Sequence, residues 1–273
     1  MTLRATLVFF LFSPLAFAAE QTLPLWELGV GAAAIRFPDY RGSEQSRQYL
    51  LPFPALIYRG DKLKVDRKGM RGLLFESERV VLDISLDGAV PVDSDQNGAR
   101  EGMPDLDAVF EIGPSLKLSL YDSEPFEMRL NLPYRYVYSS DLTRLDSHGT
   151  LFHPNLSFDY NGRSHIGLSL GPLYASQEYH DYYYSVTPEY VTATRPAYRS
   201  EGGYSGMRYT LGWSRRYNGF WLGAFVRYDD LSNAVFRDSP LVTQEDALMG
   251  GISLAWFFKQ SARRVRVEEE AVY

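Results

Sequence analysis

Three features of this sequence predict an all-β fold, an antiparallel transmembrane β-barrel of about 12 strands with short periplasmic turns and longer extracellular loops. Apolar and polar residues alternate in one segment after another, each roughly ten residues long. Short polar turns interleave with long loops. An apolar leader opens the chain.

The leader is residues 1–18. Arg4 supplies a positive start, residues 7–15 an apolar run, and Ala16-Phe17-Ala18 a small-x-small cleavage site. The run is shorter than the roughly 20 residues a spanning helix needs, so it reads as a cleaved secretory signal and the mature chain begins at Ala19. The barrel then occupies 19–258 and a charged tail 259–273. No cysteine is present, which excludes a disulfide frame and a lipoprotein anchor. A formal charge of -6 gives no support for nucleic-acid binding. The excess of aromatic residues, 20 of them tyrosine, suits an interface with lipid or ligand.

The first strand carries Trp26, Leu28, Val30, Ala32 and Ala34 on one face, and the polar run Pro38-Asp39-Tyr40-Arg41-Gly42-Ser43 ends it. Residues 49–59 form a second strand, which Pro52 and Pro54 make irregular or edge-like. Gly60-Asp61 turns the chain into two short strands around Lys68-Gly69. Val80, Leu82, Ile84 and Leu86 then alternate with Arg79, Val81, Asp83, Ser85 and Asp87, before a long loop over 89–106. Residues 107–121 and 126–139 make a hairpin about Asp122-Ser123-Glu124, too long and regular for a typical soluble one. Residues 140–149 are a loop.

The stretch 151–174 reads as a further hairpin, with Phe152, Leu156 and Phe158 on one strand and Ile166, Leu168 and Leu170 on the other. A three-residue loop Tyr160-Asn161-Gly162, with Gly162 at positive φ, sets Leu156 opposite Ile166, Ser157 opposite His165 and Asp159 opposite Arg163. The longest loop, 175–202, is rich in tyrosine. Met207 to Trp213 and Phe220 to Tyr228 flank an Asn218-Gly219 turn, a loop over 229–246 follows, and Ile252, Leu254, Trp256 and Phe258 mark the last strong strand.

Closure into a barrel follows from the membrane, because an open sheet edge in hydrocarbon leaves backbone groups unpaired at several kcal/mol each. The aliphatic faces then meet lipid, and Tyr134, Tyr136, Tyr138, Tyr174, Trp213, Tyr228 and Trp256 are candidates for the interfacial girdles. Asp83, Glu111, Lys117, Arg129, Arg135, Arg208 and Arg227 face the interior. Their mixed signs suit cross-bracing better than an ion-selective pore.

Several motifs carry a family resemblance. Pro38-Asp39-Tyr40-Arg41-Gly42-Ser43, Tyr58-Arg59-Gly60-Asp61 after Leu51-Pro52, and Gly102-Met103-Pro104-Asp105-Leu106-Asp107 before Glu111-Ile112-Gly113-Pro114 come in order. Tyr183-Tyr184-Ser185-Val186, Ser239-Pro240-Leu241 and Gly250-Gly251 follow. Together the chain resembles the MipA/OmpV family of outer-membrane proteins over nearly all of its mature length. The resemblance implies a bacterial outer-membrane barrel. In the MipA branch it implies a scaffold joining a murein lytic transglycosylase to a penicillin-binding protein in peptidoglycan growth. Other members resemble adhesins or porin-like proteins. The sequence departs from the family pattern at its end, where 259–273 follow the terminal aromatic residue Phe258.

Few residues invite chemistry. The register above places Ser157 opposite His165 with Asp159 diagonal to both, a nucleophile, base and orienting acid by residue type. Inward-facing Ser, His and Asp more commonly satisfy one another, and no acyl chain easily reaches them there. His148, His153 and His180 lack metal-ligand spacing. No catalytic, cofactor-binding or metal-ligating residue is therefore assigned, and no enzyme activity, cofactor or metal is expected. Tyr179, Tyr182, Tyr183, Tyr184 and Tyr190 either pack the long loop over the barrel mouth or stack on a partner, and packing is the reading favoured. Arg263, Arg264 and Arg266, followed by Glu268, Glu269 and Glu270, read as a solvated periplasmic end able to touch murein or a murein enzyme. The expected partners are outer-membrane lipid and these two murein enzymes. A diffusion channel and a surface adhesin are the alternatives.

Overall fold

The computed structural model describes residues 21–66 and 69–267; the expected signal segment 1–18 and the acidic run Glu268 to Glu270 lie outside them. The strands are β1 (Gln21–Pro24), β2 (Trp26–Pro38), β3 (Ser46–Arg59), β4 (Leu63–Asp66), β5 (Gly69–Glu76), β6 (Val80–Ala89), β7 (Ala108–Ser123) and β8 (Phe126–Ser140). They continue as β9 (Leu145–Phe152), β10 (Asn155–Asn161), β11 (His165–Ala175), β12 (Gly203–Tyr217), β13 (Phe220–Asp230), β14 (Asp246–Gln260) and β15 (Arg264–Val267). One α-helix, α1 (Gln177–Tyr184), lies between β11 and β12.

Consecutive strands pair antiparallel from β2 to β9 and from β10 to β14, and two contacts close the ring. β14 meets β2 with Ile252 opposite Ala34, and β10 meets β8 with Leu156 opposite Leu130. β9 and β10 both pair with β8 and with β11, so they are two halves of one strand interrupted at His153-Pro154, where proline has no amide to give the ladder. The barrel is therefore a closed ring of 12 strands, as the alternation implied. β1 and β15 pair separately, Thr22 opposite Arg266 and Leu23 opposite Val265, so the two ends of the described chain form a short ribbon on the side of the tight turns.

Face assignments follow the sequence pattern. Val30, Leu50, Leu211, Val226, Ile252 and Leu254 are exposed on the outer wall, and so are six of the seven girdle aromatics, Tyr138 being half-buried. Glu27, Arg59, Asp83, Glu111 and Asp229 are buried inside. In water such an outer wall would be a liability. In hydrocarbon it is the stable arrangement.

The register of the central hairpin differs from expectation. Leu156 pairs with Leu170, Ser157 with Ser169 and Asn161 with His165, so the turn is Gly162-Arg163-Ser164. Gly162 is not among the positive-φ residues. The cause is the neighbouring strand: β10 stays paired to β8 as far as Tyr160 opposite Phe126, and the Asn161 amide donates to the Pro125 carbonyl at 2.7 Å, which pushes the turn along the chain. The displacement is even, so every side chain keeps its face.

Two loops also differ. In the stretch read as a loop over 140–149, β8 and β9 leave only 141–144 outside the ladder, because the Asp141 carboxylate accepts from the Thr143 and Arg144 amides at 2.8 and 2.9 Å and closes a tight turn. The 175–202 loop contains α1.

Candidate functional site

The molecule's apolar core lies in its outer loops. Tyr40 comes from the β2–β3 loop, Val92 and Leu106 from the β6–β7 loop, Tyr179, Tyr183, Tyr184 and Val186 from α1 and its exit, and Leu231, Phe236 and Leu241 from the β13–β14 loop. They form one cluster over the barrel mouth with Val137, Leu151 and Leu173 of the wall. The long loops thereby acquire the apolar contacts that order them.

Polar groups lock the plug internally. The Tyr40 hydroxyl donates to the Leu241 carbonyl at 2.7 Å, Tyr184 donates to the Arg41 carbonyl at 3.0 Å, and the Ser239 hydroxyl donates to the Tyr184 carbonyl at 2.6 Å. His180 is fully buried, its Nδ1 at 2.6 Å from the Glu201 carbonyl and its Nε2 at 3.0 Å from the Ser205 hydroxyl. Burial pushes the His180 pKa down to about 4, and the ring is held neutral near pH 7. Burial likewise raises the Tyr40 hydroxyl to about 12. Arg100 reaches three backbone or hydroxyl acceptors, among them the Tyr183 carbonyl at 3.2 Å, and Arg195 ties 190–195 to the Ala99 and Glu101 carbonyls.

Beneath the plug the interior is charged and cross-braced. Asp229 of β13 accepts from Arg41 Nε at 2.8 Å and from Arg208 Nε and Nη2 at 2.8 Å each. Arg135 bridges Glu111 at 3.0 Å and Asp87 at 3.2 Å. Lys117 pairs with Asp83 at 2.5 Å, and nearer the tight turns Glu27 holds both Arg59 and Arg216. Of the interior charges read from sequence, these pairs bring together Asp83 with Lys117 and Glu111 with Arg135. Arg129 meets Glu127 at 2.6 Å and Asp159 at 3.5 Å. The Nε of Arg227 is buried without a hydrogen-bond partner. A cavity of about 210 Å3 separates plug from braces, with Asp87, Tyr183, Arg208, Arg227 and Met249 in its lining.

The Ser157, His165 and Asp159 grouping does not assemble. His165 Nε2 lies 2.7 Å from Asp159 Oδ1, but Ser157 sits opposite Ser169 and its hydroxyl accepts from Asn131 Nδ2 at 3.2 Å. The expected tyrosine-rich loop does assemble: Tyr179, Tyr183 and Tyr184 are buried, and Tyr182 lies partly buried, stacked on His148 at 3.9 Å. Asp229, Arg41, Ser205 and His180 were not legible as a unit. Arg41 and Asp229 stand 188 residues apart, and only the polar motif containing Arg41 gave any signal. Among the described residues no group of three or more His, Asp or Glu side chains is placed to hold a metal ion.

The family model of MltA-interacting protein MipA matches residues 30–258. The chain belongs to the MipA family. With its closed barrel and apolar wall, this member resides in the bacterial outer membrane in contact with lipid. The solved structures similar to it include a Pseudomonas aeruginosa FadL homologue, with TM-score 0.32, 10% identity and coverage of 76% of this chain and 60% of that one. The outer membrane phospholipase A from Escherichia coli gives 0.35, 11%, 90% and 93%, and the outer membrane protease OmpT from Escherichia coli gives 0.32, 9%, 87% and 98%. No curated protein matches the chain.

Proposed function

We propose that this MipA-family chain is a non-enzymatic scaffold, holding a murein lytic transglycosylase and a penicillin-binding protein together at the outer membrane. The observation that carries the reading is the plug: a barrel closed at its mouth by a packed apolar cluster and braced below by ion pairs works through its surface more readily than through its lumen. The family's description as an MltA-interacting protein supports a murein enzyme as the partner. The β1–β15 ribbon, on the side of the tight turns, is the element available in the periplasm.

The test is in-cell crosslinking with an affinity tag in an outer loop, followed by mass spectrometry of what is retained. Recovery of a lytic transglycosylase together with a murein synthase supports the scaffold, and loss of both on deleting 261–273 assigns the contact to the ribbon and tail. Recovery of assembly factors and abundant porins alone would remove the scaffold reading, leaving the channel and adhesin alternatives.

A further inference from the structure

Arg36 stands on the lipid side of the wall. It lies six residues from the outward-facing Val30 along β2, whose pairing with β3 runs without a bulge, so the two share a face. Its side chain is exposed and runs toward the outer loops, where Nε donates to the Ser46 hydroxyl at 3.0 Å. Among the described residues Nη1 and Nη2 have no hydrogen-bond partner, and no carboxylate stands within ion-pair distance. The lipid-facing carboxylates of the neighbouring strands, Asp230 and Asp246, lie opposite each other, four residues nearer the loops than Val226 and Gly250, roughly 13 Å along the strands. A guanidinium on an apolar wall calls for a counter-charge.

Arg36 also marks a level in the membrane. Toward the loops its neighbours on β3 are Gln48 and Ser46, and toward the mid-membrane they are Ala34 and Leu50. Polar side chains give way to apolar ones there, as they do where head groups meet acyl chains.

Beside Arg36 the wall is hollowed. Ala224, Ile252 and Ala34 are neighbours in one row across the strands, and Val226, Gly250 and Arg36 in the next. Gly250 has no side chain and the alanines are short, whereas Val226 and Ile252 stand proud, 51% and 65% exposed. The result is a groove of about 780 Å3 that runs from Leu211 and Trp213 on β12 to Leu50 on β3 and has Arg36 and Gln48 in its lining. It spans four strand spacings, roughly 19 Å.

Beyond β3 the wall leaves room. β3 pairs with β4 only at Tyr58 and Arg59. The Arg59 amide turns toward β2, donating to the Leu25 carbonyl at 2.8 Å, so by alternation the even-numbered amides of β3 turn the other way. Those of Gln48 and Leu50 therefore have no strand partner and are further donors beside the groove.

We propose that this groove seats a phosphate-bearing glycolipid of the outer leaflet, with a phosphate on the Arg36 guanidinium and an acyl chain over Ala34 and Gly250. The terminal nitrogens of arginine match a phosphate in a two-pronged contact, Gln48 adds an amide donor, and the groove supplies the apolar bed.

The full mature chain, purified in a neutral detergent, is titrated with lipid A and with lipid A stripped of its phosphates, and the intact complexes are weighed by native mass spectrometry. A saturable one-to-one adduct is expected with the phosphorylated lipid, and binding about tenfold or more weaker without the phosphates. Arg36→Gln weakens the adduct about tenfold or more, the loss expected for a charge-assisted hydrogen bond, and Arg36→Lys retains part of the affinity. Ala34→Leu, which fills the groove, weakens it severalfold. Arg215→Gln leaves it unchanged: Arg215 is an arginine of β12 near the tight turns, 4.4 Å above the ring of Tyr217. Heat-modifiable gel mobility confirms that each variant is folded. Absence of a saturable adduct, equal binding of the two lipids, unchanged binding in folded Arg36→Gln, or a dimer of the chain in place of the adduct would overturn the site.

Discussion

The ring of Tyr184 lies flat on that of Phe236, centroids 3.7 Å apart and planes 5° from parallel. One ring comes from the end of α1 and the other from the β13–β14 loop, and both are almost fully buried. This contact joins two outer loops across the barrel mouth, so the plug is a packed unit and not a set of separate loops.

Phe236→Ala should loosen that unit without unfolding the barrel. Replacing a buried Phe by Ala costs about 3–5 kcal/mol, and here the cost falls on the loops. Hydrogen exchange of the α1 amides is expected to accelerate by at least about a hundredfold, while the strand amides stay protected.

Asp229→Asn should be more damaging than its size suggests. The carboxylate is the shared acceptor of Arg41 and Arg208, and the amide would leave two buried guanidinium groups without their counter-charge. Breaking one side of a buried ion network costs about 3–5 kcal/mol. The expected result is a lower temperature of conversion from the folded to the unfolded band on a gel. A variant converting at the wild-type temperature would deny the network its bracing role.

Acid should weaken the plug. His180 has a folded pKa of about 4 against 6.5 when unfolded, so between these values the unfolded loop binds a proton that the folded one does not. Stability from this group is intact above about pH 6.5 and falls as pH drops toward 4, by up to ~3 kcal/mol. Arg41 disfavours protonation and Asp181 favours it, both less than burial does. Exchange of α1 amides at pH 5 should exceed that at pH 7.5 after correction for intrinsic rates, and His180→Gln should flatten the difference.

Gly113→Ala should disturb the β7–β8 ladder. A Cβ at Gly113 would stand 2.0 Å from the Tyr134 carbonyl oxygen, a backbone atom that cannot swing away. The two strands would have to separate locally, at about 1–3 kcal/mol. Slower appearance of the folded band during refolding is the expected readout.

How much of this was legible depended on range. Faces were legible because the period of two is written locally, as in Phe158, Ile166 and Leu168 turned outward and Asp159 and His165 turned inward. Register was not, since an even slip leaves that pattern intact, and the choice of Leu170 over Ile166 as the partner of Leu156 is made by β8. α1 was missed because Gln177–Tyr184 has no strong helical stripe and is stabilised by residues such as Phe236 that arrive from other loops. Arg41 and Asp229 meet only after the ring has closed. Pro52 and Pro54 did mark β3 as edge-like, and the bare side of that strand is what they foretold.

The central claim is that the barrel is plugged and acts through its surface, and planar-bilayer conductance tests it most directly. Wild-type protein should insert without steady open-channel current, and deletion of 177–200 should produce stable conductance steps. Steady steps from the wild type, equal in size to those of the deletion, would contradict the account and return the chain to a diffusion channel.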